Sequence, residues 1–127
     1  MNSVDKTMTL GTLLQQFFTH YLQEQRDVSQ CTVIASRDTF RLLLGFAHRE
    51  LGLRPAELSL ADIDAKLILA FLDHLEKDRH NTARTRNSRL AGVRSFMHFV
   101  SLKEPQALAA CEQILAIPVK RYDRPLI

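Results

Sequence analysis

Apolar side chains recur along nearly the whole of this chain at spacings of three and four, and little interrupts them: its 127 residues include only four glycines and four prolines. That combination points to helices, because a helix turns the same face inward every 3.6 residues and accommodates few turn formers. Leu10, Leu13, Leu14, Phe17, Phe18 and Tyr21 mark a first helix from about Leu10 to Gln25, with Thr9 as its N-cap. Arg26-Asp27-Val28 is a short connection. A second helix starts at the N-cap Ser29, runs to about Leu51 and ends on Gly52; Val33, Phe40, Leu43, Leu44, Ala47 and Leu51 line one side. Ser59-Leu60-Ala61-Asp62 reads as a capping box on a short turn, and Asp64 caps a third helix to about Lys77 with Ile68, Phe71, Leu72 and Leu75 inward. Asn81 or Thr82 caps a fourth helix to about Leu102, whose core face is Leu90, Val93, Phe96, Met97 and Val100. Glu104 and Pro105 open a fifth, with Leu108, Cys111 and Leu115 inward and Pro118 stopping it. The expected fold class is all-α, a bundle of four to five helices.

The length suits one domain, and 46% apolar with 24% charged residues is the balance of an ordinary soluble protein. No apolar run approaches the roughly 20 residues that span a bilayer. The start Met1-Asn2-Ser3-Val4-Asp5 lacks a secretory pattern. Cys31 and Cys111 stand far apart without metal spacing, so a disulfide scaffold or zinc module is not expected, and a cytoplasmic setting is.

Charge is unevenly placed. Residues 1–78 carry 8 basic and 11 acidic side chains, whereas residues 79–127 carry 9 basic and 3 acidic. Between Arg79 and Lys103 lie Arg84, Arg86, Arg89 and Arg94 and no carboxylate. Helix surfaces usually mix both signs, so this stretch points to an anionic partner, and arginine suits two-point contact with phosphate or a guanine edge. On the fourth helix Arg84, Asn87, Ala91, Arg94 and His98 share one face; on the second, Arg37, Arg41 and His48 share a flank.

A self-contained active site is not legible. The glycines at 11, 45, 52 and 92 are scattered, which excludes a phosphate loop, and no HExxH, CxxC or calcium-loop pattern occurs. The histidines at 20, 48, 74, 80 and 98 fall on separate elements. Asp62 and Asp64 fit capping better than acid–base work. No cofactor, metal or small-molecule substrate is called for, and no catalytic residue is assigned.

Ser29-Gln30-Cys31-Thr32 followed by Arg37-Asp38-Thr39-Phe40-Arg41-Leu42-Leu43-Leu44 resembles the second helix of the core-binding domain of tyrosine recombinases and phage-type integrases. Thr82-Ala83-Arg84-Thr85-Arg86-Asn87-Ser88-Arg89-Leu90-Ala91-Gly92-Val93-Arg94-Ser95-Phe96 resembles its fourth. Leu13 to Leu22 is similar to its first helix, and Ile117-Pro118-Val119-Lys120-Arg121 to its exit toward the catalytic domain. The likeness covers about residues 9–125, with Ser36 standing where the family usually has Tyr. It implies a SAM-like bundle with a flexible N-terminus at 1–8, a core-binding domain at 9–117 and the start of a linker at 118–127. The family's Tyr nucleophile, with its Arg, Lys and His-x-x-Arg assistants, belongs to a separate C-terminal domain; Tyr21 and Tyr122 are not counted as substitutes.

The resemblance further implies a half-clamp on double-stranded DNA. Its expected contacts are Thr32, Arg37 and Arg41 from the second helix, Thr82, Arg84, Thr85, Arg86, Asn87 and Arg94 from the fourth, and Lys120 and Arg121 where the linker crosses the backbone. Helix N-termini add backbone N–H groups for phosphate. Asn87 and Arg94 are the expected base readers, since Asn can pair with adenine and Arg with guanine. Arg89 points toward the packed side. A parent recombinase would self-associate on DNA. The alternative is a stand-alone helical protein–protein module, binding through the fifth helix with Leu126 and Ile127 as added apolar area.

Overall fold

A computed structural model describes residues 9–24 and 29–121. The expected N-terminal tail at 1–8, the helix end at Gln25, the Arg26–Val28 connection, Tyr122, Leu126 and Ile127 lie outside the described residues.

The bundle is all-α. Helix α1 covers Leu10–Gln16 and continues through a π-helical turn, Phe17–Tyr21, into Leu22–Glu24. Helices α2 (Gln30–Leu51), α3 (Ala65–Lys77), α4 (Ala83–Lys103) and α5 (Leu108–Leu115) follow, with single 3-10 turns at Pro55–Glu57, Leu60–Asp62 and Pro105–Ala107. No strand occurs among the described residues.

The cap residues do what their chemistry predicts. The hydroxyls of Thr9, Ser29 and Thr82 each accept the backbone N–H three residues on, at 3.1 Å, and the Asp64 carboxylate accepts that of Leu67 at 2.8 Å. Asn81, the other expected cap of α4, is not used so. Gly52 closes α2 at φ 71°, the left-handed conformation that favours glycine. Ser59 and Asp62 form the expected box, the Ser59 N–H donating to the carboxylate at 2.8 Å.

Helix α4 is the axis of the fold and packs on α2, α3 and α5. Leu90, Val93, Phe96, Met97 and Val100 are buried as the spacing predicts, and Phe99 joins them. Phe17 is fully buried against the rings of Phe18, Tyr21, Phe40, Phe96 and Phe99, at centroid separations of 5.1–6.3 Å. This cluster explains the π turn. One extra residue per turn re-phases the helix: Leu22 donates its N–H to Phe17 O.

Two expected inward residues are corrected. Leu51 is exposed, because α2 has run past its partners by its last turn; Phe46 faces the core instead. Leu108 is exposed, while Cys111, Ile114 and Ile117 are buried and Leu115 packs against them partly buried. Within α5 the packing on α4 selects the side that carries Cys111 and Ile114, and Leu108 falls off it. Burial pushes the Cys111 thiol pKa up, making it an unreactive core group. No helix among the described residues is long and apolar enough to cross a membrane.

Candidate nucleic-acid interface

The outward faces of α2 and α4 lie side by side and enclose an open groove of about 1100 Å3. Small side chains make its floor: Ala35, Ala91, Gly92, Ser88 and Ser95. At Gly92 the helices come close, and a β-carbon there would touch Ser36 Oγ and Thr39 Oγ1 at 3.8 Å. Thr32, Arg37 and Arg41 line the groove from α2, and Arg84, Thr85 and Arg89 from α4. Five of the eleven residues expected from sequence therefore converge on one surface, carried by two helices that share a core.

Each arginine is held differently. Arg37 is exposed, its guanidinium 5.8 Å from the centre of the Phe18 ring. Arg84 is exposed and makes no ion pair among the described residues. Arg41 pairs with Asp38 one turn earlier, with 81% of its side chain still exposed. Arg89 turns inward, as its helical angle predicts: it donates to Thr39 Oγ1 at 3.1 Å and to Asp38 Oδ2 at 2.9 Å. Asp38, the one carboxylate lining this groove among the described residues, thus joins Arg41 on its own helix to Arg89 across the interface. The Arg41 hydrogen bond, with that of Arg89, holds the Asp38 carboxyl below its ordinary pKa against the opposing effect of burial.

A carboxylate with a depressed folded-state pKa stabilises the fold above its unfolded value, near 3.8, and ceases to do so as pH falls through the folded value. Asp38→Asn is expected to cost about 1 kcal/mol at pH 7, a partly exposed pair being worth no more. The difference from the parent should shrink as pH falls below the unfolded value near 3.8 and vanish once the folded carboxyl is itself protonated. Urea denaturation at pH 7 and pH 3 checks this; an equal deficit at both pH values would show that the charge is not the cause.

A second, smaller groove of about 470 Å3 lies on the other side of the Ala91–Ser95 ridge, lined by Tyr21, Asn87, Arg94, His98 and Val119. Arg94 is partly exposed there without an ion pair among the described residues.

The remaining expected contacts are placed elsewhere. Thr82 serves as the α4 cap. Arg86 is nearly covered, with its Nε 3.3 Å from Glu76. Asn87 is half-buried, and its amide bonds the Lys120 backbone at 2.7 and 2.8 Å where the chain after α5 folds back across it. The Lys120 ammonium meets Glu76 at 2.8 Å, and Arg121 is exposed. His48, farther along the same flank of α2, lies outside the groove; its Nδ1 is 3.1 Å from Leu53 O. Asp38 and Glu76 were missed as organisers. The spacing of Asp38 and Arg41 is a usable signal for the first, whereas the partners of Glu76 lie on other elements and leave none. Among the described residues no cluster of His, Cys, Asp or Glu could hold a metal ion.

Residues 14–104 match the family described as the N-terminal SAM-like domain of phage integrase. Two proteins of Sinorhizobium fredii (strain NBRC 101917 / NGR234), named as integrase/recombinase y4rD and y4rC, are each 43% identical to this chain, over 114 and 122 residues. The alignments take in 90% and 96% of this chain but 41% and 37% of theirs, so the chain spans about two fifths of the length of these curated relatives. No solved structure gives a significant match.

Proposed function

The chain belongs to the phage integrase N-terminal SAM-like domain family, and from that premise we propose that it is the DNA-gripping half-clamp of a site-specific tyrosine recombinase. In this reading the α2–α4 groove lies against duplex DNA at the recombination site, while a C-terminal domain of the parent protein cuts and rejoins the strands. The observation that carries it is the convergence of Arg37, Arg41 and Arg84 on one groove with small residues at its floor. Cations at the rim neutralise phosphates, and a floor of Ala, Gly and Ser lets a ridge of backbone come close. Thr32 and Thr85 stand at helix N-termini, where backbone N–H groups favour phosphate. Arg94, without an ion pair among the described residues, offers its guanidinium to a base edge or phosphate in the neighbouring groove, and Arg121 extends the positive surface. Arg86 and Lys120 contribute positive potential while paired with Glu76.

The test is a fluorescence titration of this chain against a labelled duplex of about 30 base pairs at several salt concentrations. Three to five phosphate contacts correspond to a log–log salt slope of roughly −3 to −4.5. Absence of binding at low salt would refute the assignment of this groove to DNA.

A self-association surface on the parent protein is a second proposal, favoured by Leu102 and Leu108, 71% and 48% exposed on either side of the α4–α5 corner. Sedimentation with and without duplex tests it; a strict monomer in both would reject it.

A further inference from the structure

The chain beyond α5 is tied back to the bundle at three places. Ile117 is buried in the core. The Asn87 amide then pairs with Lys120 at both of its ends: Nδ2 donates to the Lys120 carbonyl at 2.7 Å, and the Lys120 N–H donates to Oδ1 at 2.8 Å. Finally, the Lys120 ammonium reaches Glu76 on α3 at 2.8 Å, and the Arg86 Nε approaches the other oxygen of that carboxylate at 3.3 Å. Arg86 also donates to Asn87 Oδ1 at 3.1 Å, which links the amide to the ion-pair cluster.

The pairing is specific in its chemistry. A side-chain amide offers one donor and one acceptor in a plane, the pattern that lets Asn pair with adenine. Here the Lys120 residue presents the complementary N–H and C=O. Arg86 takes further capacity on the acceptor oxygen. Glu76, with 22% of its side chain exposed, holds two cations from opposite sides. Val119 and Asn87 both border the groove that contains Arg94, so this fastening decides what passes beside that arginine.

We propose that Asn87 is a positioning residue: together with Glu76 it clasps Lys120 and fixes the course on which the chain leaves the bundle, instead of reading base edges. The clasp stands on the contacts alone; only its consequence for DNA rests on the function proposed above.

Amide hydrogen exchange by NMR on the full chain tests it. In Asn87→Ala the Lys120 amide should exchange roughly tenfold faster, the loss of one hydrogen bond, while Val93 and Val100 amides keep their protection and show the bundle intact. Lys120→Met removes only the ion pair to Glu76 and should accelerate the same amide less; the double variant should exceed either. A second arm measures parent and Asn87→Ala on duplexes changed one base pair at a time. The clasp predicts that every duplex is affected by the same factor, within about twofold, whereas a base reader would lose roughly tenfold discrimination or more at one position. An unchanged Lys120 exchange rate with an intact bundle, or a loss of discrimination at a single position, would overturn the proposal. The exchange arm contains no DNA, so failure of duplex binding leaves it to decide the clasp alone.

Discussion

Phe17→Ala is expected to lower the unfolding free energy by about 3–5 kcal/mol, the range for emptying a buried aromatic site. Phe17 is fully buried, and the rings around it come from three elements: Phe18 and Tyr21 from its own helix, Phe40 from α2, and Phe96 and Phe99 from α4. Such a site cannot collapse by moving one side chain. Domains of this size are stable by about 5–15 kcal/mol, so the variant should be marginal at 37 °C. Leu14, one turn earlier and only partly buried, should cost clearly less when truncated to Ala. Urea denaturation of both variants decides the matter; a loss below about 1 kcal/mol for Phe17→Ala would mean that the aromatic cluster is not a packed centre.

The second large effect concerns binding. Arg84→Ala combined with Arg94→Ala should weaken duplex affinity about a hundredfold at low salt and reduce the salt slope by about two. These two arginines face the two grooves on either side of the Ala91–Ser95 ridge. Neither is paired with a carboxylate among the described residues, so their removal strands no buried charge. Stability should therefore stay within about 0.5 kcal/mol of the parent, which separates a lost contact from a damaged fold. Unchanged affinity in the double variant would remove this face from the interface. Arg89→Ala is the contrasting case: its guanidinium joins α2 to α4, so its loss should show first in stability.

Much of this architecture is legible in the sequence because its signals are local. Thr9, Ser29, Asp64 and Thr82 announce helix starts through side chains that bond three residues ahead, and Gly52 announces an end through the one conformation it alone adopts cheaply. What escapes is whatever changes the phase of a helix. The π turn at Phe17–Tyr21 and the 3-10 turn at Pro105–Ala107 each alter the angle per residue, and a fixed 100° count carries the error forward. Leu108 is misread and Ile114 overlooked for another reason: α5 is short and apolar on more than one side, and only its packing on α4 selects the inward one. At the candidate interface, the gathering of Arg37, Arg41 and Arg84 follows from helical spacing plus the pairing of two helices. The fate of Asn87 does not, since its partner is a backbone group 33 residues away. A side chain's type says what it can bond, and only the fold says what reaches it first.

Helix α4 carries a core set and an outward set, besides Arg86, Asn87 and Arg89, which are fastened to neighbouring elements. Leu90, Val93, Phe96, Met97, Phe99 and Val100 are locked into the core, whereas Arg84, Ser88, Ala91 and His98 face outward with little holding them. The two sets barely constrain one another. Exchanges within the outward set therefore leave the scaffold unaltered, so that this face can vary with little penalty in folding.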